Sequence, residues 1–208
     1  MSQFFQVHPV NPQPRLIKQA AQIVHDGGIV AVPTDSCYAL VCHLDDKSAV
    51  ERLRRIRGID EKHHLTLLCR DLSEIAVYAR VDNRQFRLLK AATPGPFTFI
   101  LEATKCVPRR LSHPSRKTIG LRVPENAIAQ ALLAELGQPL LGTTLILPGD
   151  DDGLLNEAEH IRERLEKQIE LIIDGGACSM APTTVIDLSG PGAELVRQGR
   201  GDAAMFGL

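Results

Sequence analysis

The sequence predicts a single α+β domain, a β-sheet covered by helices. Three observations support this fold class. The chain has 208 residues, of which 44% are hydrophobic, and that is enough for one packed core. Short apolar runs of strand length alternate with longer segments whose apolar residues recur at helical spacing. Neither an internal repeat nor a low-complexity tract interrupts this alternation, so we expect one domain over residues 1–208.

The first half of the chain opens with a helix and a short buried strand. Apolar side chains from Leu16 to Val24 recur at helical spacing and stop at Gly27-Gly28, a typical helix end. The strand, Ile29 to Val32, ends at Pro33. The remaining elements expected here are a helix over Asp46–Arg57, a strand over Leu65–Cys69 and a helix over Asp82–Ala92.

The second half begins where Thr93-Pro-Gly-Pro96 breaks the chain, and it repeats the alternation. The acidic stretch Pro148–Gly153 is the flexible connection that we expect, and it is too short to be a domain boundary. The expected elements are strands over Phe97–Leu101 and Thr118–Arg122, a helix over Asn126–Leu136, a strand over Leu140–Leu145, a helix over Glu157–Lys167, and strands near Ile169, Val185 and Leu195.

The composition excludes several classes of protein. Apolar stretches such as Ile29–Pro33 are far shorter than the ~20 residues that a membrane span requires. Met1–Val10 lacks the basic region and long apolar run of a secretory signal, so we expect a cytoplasmic protein without a membrane partner. The five cysteines are scattered and form no Cys-x-x-Cys pair, which argues against a disulfide framework and a zinc ribbon. We therefore expect reduced thiols.

Charge is balanced overall but unevenly distributed. The net charge of −1, from 24 basic and 25 acidic residues, gives no reason to expect a polyanionic partner. Basic residues nevertheless crowd into Arg52–Arg57 and Lys105–Arg122, whereas acidic residues dominate 150–170. Such clusters are typical of solvated helix faces, and also of a positive face that binds phosphates. Spacing alone leaves both interpretations open.

Four arginines lie within Arg52–Arg57, at the end of the second predicted helix. Cations at a helix C-terminus complement the helix dipole, which explains part of the cluster. Four arginines are more than the helix dipole explains. Because guanidinium groups bind phosphate oxygens through paired hydrogen bonds, this cluster is our best candidate for a site that binds a triphosphate or a nucleic-acid backbone. His63-His64 follow, but neighbours on a strand point to opposite faces, so we expect no metal site there.

A second candidate site is Pro33-Thr-Asp-Ser-Cys-Tyr-Ala-Leu40, which follows a predicted buried strand. Its hydroxyls, carboxylate, thiol and phenol can bind a small polar ligand. An ordinary turn, in which Ser and Asp accept from nearby amides, produces the same pattern. Cys37 has no matched His at a recognisable spacing and is not expected to be a nucleophile. The chain has neither a Walker glycine loop nor a Gly-x-Gly-x-x-Gly motif, so any nucleotide site must be built differently.

Five segments, in order, resemble motifs of the YrdC superfamily, and the resemblance covers residues 14–200. They are Pro33–Leu40 (the family's Pro-Thr-Glu-Thr-x-Tyr-Gly-Leu), Pro94–Thr98 (Pro-Gly-Pro-x-Thr), Gly120–Pro124 (Gly-x-Arg-x-Pro), Pro182–Asp187 (Pro-Ser-Thr-Val-x-Asp) and Arg197–Gly199 (Arg-x-Gly). Within the superfamily, Met1–Phe5 and Thr66–Glu74 are most similar to the YciO branch. The resemblance implies a YrdC-like α+β fold with a twisted, mixed sheet.

The resemblance also implies a function. The family's synthetases make threonylcarbamoyl-adenylate from L-threonine, bicarbonate and ATP, with Mg²⁺ accompanying the ATP and no tightly bound cofactor, during modification of adenosine-37 in tRNA. By matching position, Thr34, Tyr38 and Arg122 would contact threonine. Arg55, Arg57, Thr144, Thr183 and Arg197 would contact the phosphates and the nucleotide.

Two departures from the family pattern bear on catalysis. The synthetases hold the ATP phosphates with a Lys-x-Arg pair, and Arg55 replaces the Lys in the pair Arg55 and Arg57. A rigid guanidinium fork does not coordinate the same oxygens as a point ammonium. The family's Ser-x-Asn is here Thr144-Leu-Ile146, and loss of a positioned amide predicts a rate lowered by ~10²-fold or more.

These departures shift weight toward an alternative function, a non-catalytic module that binds double-stranded or structured RNA, including tRNA, through its backbone. They also leave open a related reaction on a threonylcarbamoyl group. The resemblance to the superfamily also suggests this partner. The cations that we expect to contact RNA are Arg52, Arg54, Lys62, Arg109 and Arg110.

Overall fold

The structure is a computed structural model and describes residues 1–149 and 155–208. Part of the predicted acidic loop Pro148–Gly153 therefore lies outside the described residues. Within them, ten strands form one mixed sheet in the order β1-β8-β2-β3-β7-β4-β6-β5-β9-β10. The strands are β1 (Gln3–Gln6), β2 (Val30–Val32), β3 (Ala39–His43), β4 (Thr66–Leu68), β5 (Phe97–Glu102), β6 (Thr118–Arg122), β7 (Leu140–Thr144), β8 (Leu171–Asp174), β9 (Thr184–Asp187) and β10 (Glu194–Arg197).

Six α-helices connect these strands in the described part of the chain, and a 3₁₀ turn, Ala203–Phe206, follows the last strand. Side-chain oxygens cap four of the helices by accepting backbone N–H groups at their N-termini, which satisfies donors that a helix leaves open. The helices are α1 (Pro14–His25), α2 (Lys47–Arg57), α3 (Leu72–Tyr78), α4 (Asn83–Ala92), α5 (Ala127–Leu136) and α6 (Ala158–Leu165).

The two faces of the sheet are covered differently. Helices α2, α3, α4 and α6 pack their apolar sides on one face, where the larger part of the core lies. Helices α1 and α5 pack on the opposite face over β2, β3, β7 and β8, and form a second apolar cluster there. Neither α1 nor α5 contributes to the lining of the cavities over β4, β6, β5 and β9 on that second face. A recess is therefore left over this half of the sheet.

The predicted fold class, a single α+β domain with a mixed sheet covered by helices, is confirmed. Three elements were not expected from the sequence: β1, β3 and α3. Strand β3 begins inside the polar segment that we interpreted as a loop, and four of its five residues are buried. A strand buried on both faces lacks the alternation that identifies exposed strands, so periodicity missed it. No helix in the described ranges is long and apolar enough to cross a membrane.

Candidate functional site

Two connected cavities occupy the recess. The larger has a volume of about 440 Å³ and the smaller about 20 Å³. Five threonines line both cavities and form a shared floor, which we call the threonine floor: Thr66, Thr98, Thr143, Thr144 and Thr183.

Strand alternation explains the threonine floor. In β5, Phe97, Phe99 and Leu101 point into the helix-covered core, so Thr98 faces the recess. Thr66 of β4 pairs in register with Gly120 on one side and Gly142 on the other. A Cβ atom at Gly120 would lie 2.9 Å from Thr66 Oγ1, so a larger residue there would press on the hydroxyl. The two glycines leave Thr66 accessible from above.

Residues 36–39 form one wall of the smaller cavity, and Thr34 lies just before them in the chain. Thr34, predicted to contact threonine, donates its hydroxyl to the Cys37 carbonyl at 2.6 Å and accepts from the Ser36 amide at 3.1 Å. Thr34 lines neither cavity, so its hydroxyl shapes the loop. Tyr38 does line the smaller cavity, and its hydroxyl donates to the Gly176 carbonyl at 2.9 Å. Burial raises the pKa of Tyr38, which keeps the phenol protonated.

Arg122 is the buried cation of the smaller cavity. Its guanidinium donates to Ser36 Oγ at 3.1 Å and forms a short ion pair with Asp35. Both side chains of this pair are more than nine-tenths buried, at 7% and 9% exposure. Burial lowers the pKa of Arg122, and the Asp35 carboxylate opposes that effect. Arg122 Nε has no hydrogen-bond partner in the described part of the protein, so one donor is free.

Arg197 lines the larger cavity beside two residues of the threonine floor. The Arg197 guanidinium donates to the Thr183 carbonyl at 2.9 Å and to its hydroxyl at 3.3 Å. Thr183 Oγ1 in turn lies 2.9 Å from Thr98 Oγ1. Thr144, the last residue of β7, lines both cavities. The structure thus brings together Tyr38, Arg122, Thr144, Thr183 and Arg197 of the predicted site residues.

The two predicted phosphate-binding arginines of α2 differ in position. Arg57 is buried at 8% exposure and donates to the backbone carbonyl of Ile146, the residue that replaces the family's Asn. Burial lowers the pKa of Arg57. Arg55 is exposed and lines neither cavity. A helix turns by about 100° per residue, so arginines at this spacing cannot all face one ligand.

The five cations predicted to contact RNA are also dispersed. Arg52 forms an ion pair with Glu170 at 2.6 Å, and Arg54 donates to the Asp60 carbonyl. Arg110 donates to the Leu44 and Asp45 carbonyls just after β3, whereas Arg122 contacts the loop before that strand. Lys62 lines the larger cavity, and Arg109 is exposed. RNA binding by these residues stays a prediction.

The orientation that we expected of His63-His64 is wrong. The two residues precede β4 rather than belonging to a strand, and both line the larger cavity. Thr66 and Thr98 were also missed by the sequence analysis. A single hydroxyl residue in an apolar strand, as in Phe97-Thr-Phe99, is the signal that could have identified them.

Metal binding and nucleophilic attack by a thiol each require particular side chains, and both were sought among the described residues. Residues 1–149 and 155–208 contain no group of three or more His, Cys, Asp or Glu side chains that could hold a metal ion. Burial raises the pKa of Cys37, and raises that of Cys178 to about 11. Both thiols are protonated at neutral pH, which makes them poor nucleophiles.

The chain is similar to several known proteins in sequence and in fold. YciO from Escherichia coli K12 is 56% identical over 206 residues, which cover 99% of this chain and all of YciO, and its crystal structure matches with a TM-score of 0.96. Human threonylcarbamoyl-AMP synthase is 30% identical over 184 residues, covering 85% of this chain and 64% of the synthase.

A second solved structure, Sua5 of P. abyssi in complex with L-threonine, has 28% identity and a TM-score of 0.86. The match covers 94% of this chain and 57% of Sua5. The sequence profile of the Sua5/YciO/YrdC family, described as "Telomere recombination", matches residues 22–199. This match spans most of the chain and includes all the segments that line the two cavities. The protein therefore belongs to the Sua5/YciO/YrdC family.

Proposed function

We propose that the protein binds L-threonine and ATP in the two connected cavities and forms threonylcarbamoyl-adenylate from them and bicarbonate. One observation carries this proposal: a narrow cavity with a buried arginine opens onto a wider cavity walled by cations, and the same threonines line both. A related enzyme is named threonylcarbamoyl-AMP synthase, and a related Sua5 structure contains L-threonine.

Arg122 supports the placement of the amino acid. Its Nε is buried and has no hydrogen-bond partner among the described residues. Guanidinium groups bind carboxylates most strongly, so we propose that this guanidinium attracts the carboxylate of threonine. The smaller cavity is about 20 Å³, which is room for little more than a water molecule. In this proposal only the carboxylate end of threonine enters it, and the amino group lies over the threonine floor.

Positive charge supports the placement of the nucleotide. Arg197 and Lys62 line the larger cavity, and no carboxylate is among the described residues that line it. Its volume of about 440 Å³ is in the usual range for ligand pockets. Phosphate oxygens that enter this cavity would accept charge-assisted hydrogen bonds from the Arg197 guanidinium. They would also accept hydrogen bonds from the hydroxyls of Thr144 and Thr183.

The proposed reaction joins two substrates held side by side. Threonine's amine attacks the carbon of bicarbonate, so that an N–C bond forms, a C–O bond breaks and water leaves. An oxygen of the resulting carbamate then attacks the α-phosphorus of ATP. A new P–O bond forms, and the bond from the α-phosphorus to the bridging oxygen of pyrophosphate breaks. The cations stabilise the charge that develops on the phosphate oxygens, and the threonine floor orients the reactants. Ile146 offers no side-chain amide, so we expect slow turnover.

The described residues that line the larger cavity do not fit a magnesium ion held by the protein alone. Mg²⁺ binds carboxylate and phosphate oxygens, whereas these side chains offer hydroxyls, imidazoles and cations. We propose that Mg²⁺ arrives on the ATP phosphates. No step above is assigned to it.

The test is pyrophosphate release by the purified protein, with mass spectrometry of the product. We expect release that requires L-threonine, bicarbonate and ATP together, with a product of the mass of threonylcarbamoyl-adenylate. Arg197→Gln removes a cation of the cavity and should lower the rate by about 10²-fold. Arg109→Gln removes an exposed cation that lines neither cavity and should leave the rate unchanged.

Two results would contradict the proposal. Pyrophosphate release that is equal with and without threonine would show simple ATP hydrolysis. Equal rates for Arg197→Gln and Arg109→Gln would show that the chemistry takes place outside these cavities.

A further inference from the structure

The rings of the two adjacent histidines in the larger cavity differ in the contacts that they make. His64 Nε2 lies 2.8 Å from Thr118 Oγ1, and its ring stacks on His113 with centroids 4.9 Å apart. The backbone amide of His63 donates to Asp60 Oδ1 at 3.1 Å, which anchors the main chain. The His63 ring itself makes no hydrogen bond with any residue in the described ranges. The cavity is thus lined by an exposed imidazole that has no hydrogen-bond partner among residues 1–149 and 155–208.

Cations surround the His63 ring from several elements. Arg54 and Arg57 face it from α2 and Arg197 from β10, and Asp60, in its own loop, is the nearby acid. Its neighbours Lys62 and His64 line the same cavity. Desolvation by the cavity walls lowers the pKa of His63 most, followed by Arg57, Arg54 and Arg197, and Asp60 opposes them. These effects favour the neutral form of the imidazole in the unliganded protein.

A bound polyphosphate would change the electrostatic environment of His63 from positive to negative. Its negative charges offset the field of the arginines, and an adjacent anion favours the charged form of an imidazole. A protonated imidazole has two N–H donors, and a charge-assisted hydrogen bond to phosphate is stronger than a neutral one. His63 lines the same cavity as Arg197 and Thr183, where the proposed function puts the phosphates.

We propose that His63 is a phosphate-binding residue that takes up one proton from solvent when a nucleoside triphosphate binds. The lone pair of a ring nitrogen accepts the proton, and the new N–H donates to a phosphate oxygen. This inference rests on the proposed function for the location of the nucleotide, but it does not require that any reaction follow.

The test is calorimetric titration of inorganic tripolyphosphate, and then of ATP, in buffers with different enthalpies of ionisation. The dependence of the observed heat on the buffer gives the number of protons taken up. We expect net uptake at pH 7.5 by the unmodified protein, and its loss in His63→Gln, with binding about tenfold weaker. His25→Gln is the control, since this exposed histidine lines neither cavity, and it should keep the proton uptake.

Each alternative outcome has a separate meaning. Proton uptake that persists unchanged in His63→Gln overturns the inference, and so does the absence of tripolyphosphate and ATP binding. Threonine-dependent pyrophosphate release, together with tripolyphosphate affinity and proton uptake that His63→Gln leaves unaltered, overturns the inference but leaves the proposed function intact. His63-dependent proton uptake without pyrophosphate release supports the inference and contradicts the proposed function.

Discussion

At the scale of single residues, the Arg122–Asp35 pair connects the stability of the protein with its site. The pair joins the sheet to the loop that forms one wall of the smaller cavity. Arg122 could be identified from the sequence because a family motif contains it. Asp35 could not be assigned a partner, because the two residues are far apart in the chain and only the folded sheet brings them together.

Removal of one partner of this pair should destabilise the fold more than removal of both. Arg122→Met leaves the Asp35 carboxylate buried and uncompensated, and should lower the free energy of unfolding by about 3–5 kcal/mol. The double variant Arg122→Met/Asp35→Leu should recover part of that loss, because no charge is then left buried. Urea denaturation at neutral pH measures both. A double variant less stable than the single one would contradict this account.

At the scale of elements, α2 shows what the sequence can and cannot predict. Its bounds follow from local signals: Asp46 accepts from the Ala49 amide at 2.9 Å, and Gly58 ends the helix with a φ of 63°. The directions of its arginines do not follow from such signals. Arg57 is buried against Ile146, whereas Arg55 faces solvent, because the helix distributes adjacent residues around its axis.

The capping bond of α2 provides a prediction for this element. Asp46→Ala removes the acceptor at the helix N-terminus and should lower the free energy of unfolding by about 1 kcal/mol. Asp45→Ala, one residue earlier and exposed, is the matched control and should have little effect. Both values come from chemical denaturation. Equal losses in the two variants would show that capping is not the cause.

At the scale of the whole molecule, the uneven covering of the sheet creates the site. Alternating apolar segments were sufficient to predict a sheet with helices on it. They could not predict that α1 and α5 would both pack over one half of a face, since that depends on strand order. Crossovers such as β3-β7-β4 bring distant segments side by side, so the composition of the threonine floor could not be deduced from sequence neighbours.

Electrostatic attraction by the cavity should be visible despite the near-neutral total charge of −1. Tripolyphosphate binding should weaken by roughly tenfold when salt rises from about 0.05 to about 0.5 M, because salt screens the interaction between the cavity cations and the phosphates. Calorimetric titration at a series of salt concentrations measures this effect. An affinity independent of salt would mean that the arginines and Lys62 do not contribute to binding.

Strand β10 ends the sheet and pairs only with β9 within the described residues. All four of its residues are exposed, and the register shifts between Leu195 and Arg197. Local unfolding begins where few apolar contacts hold a segment, so this strand should separate from the sheet at a lower free energy than the central strands. Because Arg197 lies on β10, we expect an anion bound to Arg197 to stabilise the pairing of β10 with β9. The measured ligand affinity would then include the free energy of keeping this edge strand paired.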